Sequence, residues 1–280
     1  MRWKGLFLTV AFTICLSGRT HADVVTDWNA MLSTTLRNAG ITTGSQTRPA
    51  AIVQAAVFDA VNGIARKYEP YFVTEWAPGG ARQEAAAAQA AYTALLGLFP
   101  AQKPALDTQL AASLAAIPGA EGDSESIERG RAWGERVALD ILAWRSGDGF
   151  NAVVAPFFGG TVPGVWRSVP TGTLAAVFPQ VAVMIPFAMT SHSQFRPGPP
   201  PALGSAEYAV DVNEVKALGR ATGSTRTDEQ TELARLWHAV APIDENSTFS
   251  ALLPDGLELV DKARIFALLN IAMADAYRYF

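Results

Sequence analysis

From Asp23 to Gly147 apolar residues recur at helical spacing, and the chain punctuates into five predicted helices. The first runs from Asp23 to Asn38, with Val24, Trp28, Met31, Leu32 and Thr35 near one stripe and Gly40 placed to end it. A second spans about Arg48 to Lys67, where Pro49 occupies a first-turn position at which a missing N–H costs nothing. Its apolar positions are Ile52, Ala56, Val57, Ala60, Val61 and Ile64. Gln83 to Leu98 is alanine-rich, which favours helix and permits close helix contact. A short helix from Lys103 to Ile117 and a longer one from about Ser124 to Arg145 follow, the latter carrying Trp133, Val137, Ile141 and Trp144 at helical steps.

Between Ser146 and Ser205 the periodicity lapses, and nine of the 17 prolines fall in this stretch. Its aromatics, among them Phe150, Phe157, Trp166, Phe178 and Phe187, carry too much buriable area for a disordered linker, so it is expected to wrap over the helices. Short extended pieces such as Val181–Ile185 fit, but no run alternates well enough to predict a sheet. Helical patterning returns at Ala206–Leu218 and at Thr227–Ala239, where Thr227 and Gln230 fit a capping box. The last segment, Leu257 to Phe280, is apolar nearly all round, the pattern of a buried central helix. It reaches its end without a Gly or Asn cap and with Tyr277, Tyr279 and Phe280 in the last turn, which is expected of an interrupted helix.

The fold class expected is therefore all-α: a helical bundle with a long Pro/Gly-rich wrapping segment. The expected organisation is a signal peptide at 1–22, an N-terminal helical bundle at 23–147, the wrapping segment at 148–205 and further helices at 206–280, the last interrupted.

The N-terminal stretch changes the composition. Arg2 and Lys4 flank an apolar run from Gly5 to Leu16, too short to span a bilayer, and Thr20-His21-Ala22 offers a cleavage site before Asp23. These features predict a secreted or periplasmic protein with no transmembrane span after processing. Cleavage would remove Arg2, Lys4 and Arg19 from the 22 basic residues, leaving 19 against 26 acidic and a net charge of −7 instead of −4. That balance excludes nucleic acid as the main partner, since phosphate neutralisation needs a basic stripe. The one cysteine, Cys15, would leave too, and with it thiolate catalysis and disulfides; of three histidines His192 and His238 would remain.

Candidate chemistry is sparse. The sequence contains no His-Glu-x-x-His, no Gly-x-Ser-x-Gly elbow and no phosphate loop. Ser191-His192-Ser193 pairs a nucleophile with a base only by adjacency and reads as a polar loop, and Gly147-Asp148-Gly149 reads as a turn. Asp244-Glu245 before Asn246 reads as a solvated loop with at most weak cation affinity, and His238, beside Trp237 on a helix, as a core histidine. Asp59, Asn62 and Asp275 lie on apolar helices, where buried polar groups usually hydrogen-bond helices together. No catalytic, cofactor-binding or metal-ligating residue is assigned.

Several phrases, in order, do carry a resemblance. They include Arg48-Pro49 leading to Val57-Phe58-Asp59-Ala60-Val61-Asn62, Tyr68-Glu69-Pro70-Tyr71, Pro163-Gly164-Val165-Trp166-Arg167, Ser193-Gln194-Phe195-Arg196-Pro197, Glu214-Val215-Lys216, Arg226-Thr227-Asp228-Glu229-Gln230 and Ala263-Arg264-Ile265-Phe266-Ala267-Leu268-Leu269-Asn270 with Asp275. Together they resemble bacterial proteins of the vanadium-dependent haloperoxidase group in the type 2 phosphatidic acid phosphatase superfamily. The resemblance implies an all-α fold and a site where lysine, arginines and histidines grip vanadate or phosphate. In that family these groups come in three motifs: a lysine followed by Arg-Pro, then Pro-Ser-Gly-His, then Ser-Arg with a later histidine. All three would follow the final helix here, and none is present in the sequence; Trp166-Arg167-Ser168 and Phe195-Arg196-Pro197 are only lookalikes.

The resemblance therefore implies the N-terminal, non-catalytic helical half of a haloperoxidase-like or phosphatase-like protein, with vanadate expected only for the complete family member. Two further readings stand beside it: a secreted helical binding or scaffolding protein that has lost the catalytic half, and one part of a split enzyme. The partners expected are a complementary C-terminal half or a second copy of the chain.

Overall fold

The computed structural model describes residues 23–41, 43–169, 174–239 and 242–276. Residues 1–22, expected to be a signal peptide and including Cys15 and His21, lie outside the described residues, as do Pro170 and the terminal aromatics Tyr277, Tyr279 and Phe280. Among those described, nine α-helices follow one another with no strand: α1 Val24–Asn38, α2 Thr47–Ala65, α3 Gln83–Leu98, α4 Lys103–Ala115, α5 Ser124–Ser146, α6 Ala206–Leu218, α7 Asp228–Ala239, α8 Pro242–Leu252 and α9 Leu259–Ala276. The all-α expectation holds. A lone antiparallel bridge joins Gly159 to Arg167.

Local chemistry explains the boundaries. Asp23 caps α1 by accepting from the Val25 and Thr26 N–H groups, and Thr26 Oγ1 accepts from the Asp23 N–H in return. Helix α2 closes on Arg66, which adopts a left-handed φ of 55°. The capping box at α7 forms as the spacing predicts: the Thr227 N–H donates to Gln230 Oε1 at 2.9 Å and the Gln230 N–H to Thr227 Oγ1 at 3.1 Å.

The core lies where α2 packs against α3, α5 and α9, with α1 closing one side. Residues 47 to 63 of α2 are buried along the whole helix, so it is the central element. Small residues let its neighbours approach. A methyl group on Gly134 of α5 would sit 2.3 Å from the Ala86 carbonyl oxygen of α3, and one on Gly130 2.4 Å from the Arg82 carbonyl oxygen. The alanine-rich α3 is the other half of that close contact.

A polar layer crosses the core. Gln54 of α2 donates to Asn29 of α1 at 2.9 Å, Asn29 donates to the Asn246 carbonyl of α8 at 3.1 Å, and the Asn246 and Asn270 side chains exchange hydrogen bonds at 3.0 and 2.7 Å. Four helices are thereby registered through amides that are each at least 98% buried.

Three expectations need correction. Residues 242–252 form a helix, α8, rather than a solvated loop, because Ile243 and Asn246 bury against α1 while Asp244 pairs with Arg37. His238 is exposed and Trp237 is 66% exposed, because α7, like α6, lies outside the main packing and buries no described side chain in the core. Helix α9 is buried on one face only: Val260, Ala263, Phe266, Ala267, Asn270 and Ala274 face the core, whereas Leu268 is 52% exposed. Being apolar all round leaves this helix an uncovered hydrophobic side. Among the described residues, no helix is long and apolar enough to cross a membrane.

Candidate functional site

Two aspartates, Asp59 of α2 and Asp275 of α9, each grip a loop. Asp59 accepts the N–H groups of Tyr71 at 2.7 Å, Phe72 at 2.8 Å and Val73 at 2.9 Å. Asp275 accepts those of Phe187 at 2.7 Å, Ala188 at 2.7 Å and Met189 at 2.9 Å. Asn62, one turn after Asp59, adds a reciprocal pair, its amide donating to the Tyr68 carbonyl at 2.8 Å and its oxygen accepting the Tyr68 N–H at 2.9 Å. These residues hold loops to helices, rather than joining helix to helix as their placement on apolar helices suggests. Burial pushes the Asp59 carboxyl above its ordinary value, against the opposing pull of its three N–H donors.

The two loops meet at the end of α5. Phe72 stacks on Trp144 at 4.3 Å between centroids, and Phe187 meets the same indole edge-on at 6.3 Å. The Arg145 guanidinium lies 3.9 Å over the Phe187 ring and donates to the Ile185 and Pro186 carbonyls at 2.7 and 3.2 Å. Thus the last turn of α5 positions both loops through one tryptophan and one arginine.

Arg145 belongs to a buried cluster of three charges. Asp148 Oδ2 accepts from Arg145 Nη2 at 2.7 Å and from Arg48 Nε at 2.8 Å, while Oδ1 accepts the Phe150 N–H at 3.0 Å. Arg48 Nη2 also donates to the Arg145 carbonyl at 2.8 Å. Burial alone would raise the Asp148 carboxyl, but the Arg48 hydrogen bond, the Phe150 N–H and the two guanidinium charges outweigh it and hold it below the ordinary value. Burial lowers Arg145, with Asp148 opposing. The reading of residues 147–149 as a turn is correct but incomplete: Gly149 has a φ of 89°, and the turn buries Asp148 at 2% exposure. Arg145 and Asp148 carried no individual signal in the sequence.

The remaining candidates do not converge. His192 Nε2 donates to the Met184 carbonyl oxygen at 2.7 Å, and among the described residues no hydrogen bond joins its ring to Ser191 or Ser193, whose hydroxyls lie 3.4 Å from each other on the surface. Asp244 and Glu245 sit in the first turn of α8. Among the described residues, no group of three or more His, Cys, Asp or Glu could hold a metal ion.

No protein-family model and no curated protein matches the chain. A solved structure does: that of the first bacterial vanadium-dependent iodoperoxidase, at a TM-score of 0.70 and 19% identity, covering 91% of this chain and 67% of that one. The chain therefore shares that helical fold. Vanadate, a tetrahedral oxyanion, requires several convergent cationic donors. The buried cations described here do not fit it: Arg145 is spent on Asp148 and two carbonyls, and Arg48, itself paired with Asp148, has no second free cation beside it among the described residues to complete an oxyanion cradle.

Proposed function

We propose that this chain is the N-terminal, non-catalytic helical half of a secreted or periplasmic vanadium-haloperoxidase-like protein, and that it binds no vanadate by itself. The observation that carries the reading is the shared fold over 91% of the chain, set against a sequence without the lysine/Arg-Pro, Pro-Ser-Gly-His and Ser-Arg motifs. On this reading the Asp59 and Asp275 clamps are scaffolding: they set the positions of residues 71–73 and 187–189 over Trp144 at the end of α5.

A split protein, with a complementary helical half, is favoured over a self-sufficient binding protein by one feature. Leu236 and Trp237 of α7 and Leu268 of α9 are each more than half exposed. Large apolar side chains left open on helices of this kind suit a second helical layer.

The test is enzymatic. The purified full chain, supplied with vanadate, is assayed for peroxide-dependent iodide oxidation and for hydrolysis of a phosphate monoester. Rates equal to a protein-free blank support the reading; turnover above it, lost on heat denaturation, refutes it.

A further inference from the structure

A cavity of about 850 Å³, separate from the aromatic junction of the two clamped loops, opens between the start of α2, the end of α3 and the segments around residues 150–156 and 176–180. Its volume suits a small organic molecule. Ile41, Phe99, Phe150 and Phe178 give it apolar walls, Gln180 a polar one, and Arg48 a charged one.

Two features distinguish this cavity. The first is electrostatic. Arg48 and Arg145 share the carboxylate of Asp148 and have no other acidic partner among the described residues, so the cluster carries one positive charge in excess. Arg48 uses Nε on Asp148 and Nη2 on the Arg145 carbonyl, which leaves Nη1 without a protein acceptor. Its guanidinium lies 4.7 Å from the centre of the Phe150 ring, so its plane is fixed. A buried surplus cation with a spare donor is stabilised by an incoming anion.

The second feature is backbone strain in the cavity wall. Phe178 has a φ of 52°, in the left-handed region that a bulky side chain rarely adopts. Such outliers cluster where a side chain must be aimed at a ligand. Phe178 lines the cavity beside Pro179 and Gln180, so the strained residue is itself part of the wall.

We propose that the chain binds a small amphiphilic monocarboxylate in this cavity, its carboxylate on Arg48 and its apolar body between Phe99, Phe150 and Phe178. This goes beyond the scaffold reading and does not depend on it, since Arg48 and the cavity walls lie wholly within the described residues. Inorganic oxyanions are disfavoured, because Arg48 is the one cationic residue lining a cavity whose other walls are mostly apolar and reward apolar burial.

The experiment is calorimetric titration of the full chain with octanoate, 1-octanol and inorganic phosphate, on the wild type and on Arg48→Gln and Val154→Glu. Arg48→Gln leaves Arg145 and Asp148 as a neutral pair. Val154→Glu places a carboxylate on a half-buried cavity wall outside the charge cluster. The expected result is saturable 1:1 binding of octanoate, at least about tenfold tighter than octanol or phosphate, and at least about tenfold weaker in either variant. No saturable binding, or octanol or phosphate matching octanoate, overturns the proposal. If Arg48→Gln does not fold, Val154→Glu decides: unchanged affinity there overturns it.

Discussion

The Tyr71 hydroxyl donates to the Phe187 carbonyl at 2.7 Å, and this one bond joins a loop gripped by Asp59 of α2 to a loop gripped by Asp275 of α9. The two helices that pack side by side through the core thus each present a carboxylate to a run of three consecutive N–H groups, and the captured loops are tied to each other over Trp144. Irregular backbone is buried here at low cost because its donors have charged acceptors.

Asp59→Ala leaves three N–H groups without an acceptor and is expected to destabilise the fold by about 2–4 kcal/mol at neutral pH. Asp59→Asn retains one acceptor and removes the burial cost of the charge, so its loss is expected to be smaller. Urea unfolding of both variants measures the order, and equal losses would mean that the carboxylate's hydrogen bonds are not what holds residues 71–73.

Asp148 carries the acid sensitivity. Its folded value lies below the ordinary 3.8, so the stability it contributes is fully present above 3.8 and is lost as pH falls from there through the folded value. Asp148→Asn strands two guanidinium groups and is expected to cost about 3–5 kcal/mol at pH 7, with a flatter acid limb below pH 4. Asp59 acts with the opposite sign, since its raised value means that protonation on falling pH favours the folded state. Denaturant unfolding across pH 2.5–7 on wild type and Asp148→Asn separates the two.

Gly134→Ala is expected to destabilise by about 1–3 kcal/mol, although alanine is the better helix former by about 1 kcal/mol. The added methyl would meet the Ala86 carbonyl oxygen at 2.3 Å, and a backbone atom in a packed helix cannot rotate away. A thermal melt that rises instead of falling would show that α3 and α5 stand further apart.

Trp237→Gln is expected to change stability by less than about 0.5 kcal/mol, because the indole is 66% exposed and packs against no core residue. Its visible effect should be a lower fluorescence of a bound hydrophobic dye.

The helices were legible in the sequence because periodicity and capping are local: Gln83–Leu98 and Ala206–Leu218 match the observed α3 and α6 residue for residue. Helix α8 was missed because Asp244-Glu245-Asn246 reads as polar, and only the long-range pairing of Asn246 with Asn270 reveals a buried face. His238 was misplaced for the converse reason, since an apolar neighbour such as Trp237 signals burial only if another element packs over it. The charge cluster was invisible because Arg48 and Asp148 are 100 residues apart and nothing local pairs them. The clamp residues Asp59, Asn62 and Asp275 were legible as buried polar groups on apolar helices, but not the loops they hold.

Equilibrium dialysis of the full chain against orthovanadate tests the central claim, that this chain has no oxyanion cradle of its own. The account predicts no saturable binding up to millimolar vanadate. A single saturable site at micromolar vanadate would contradict it.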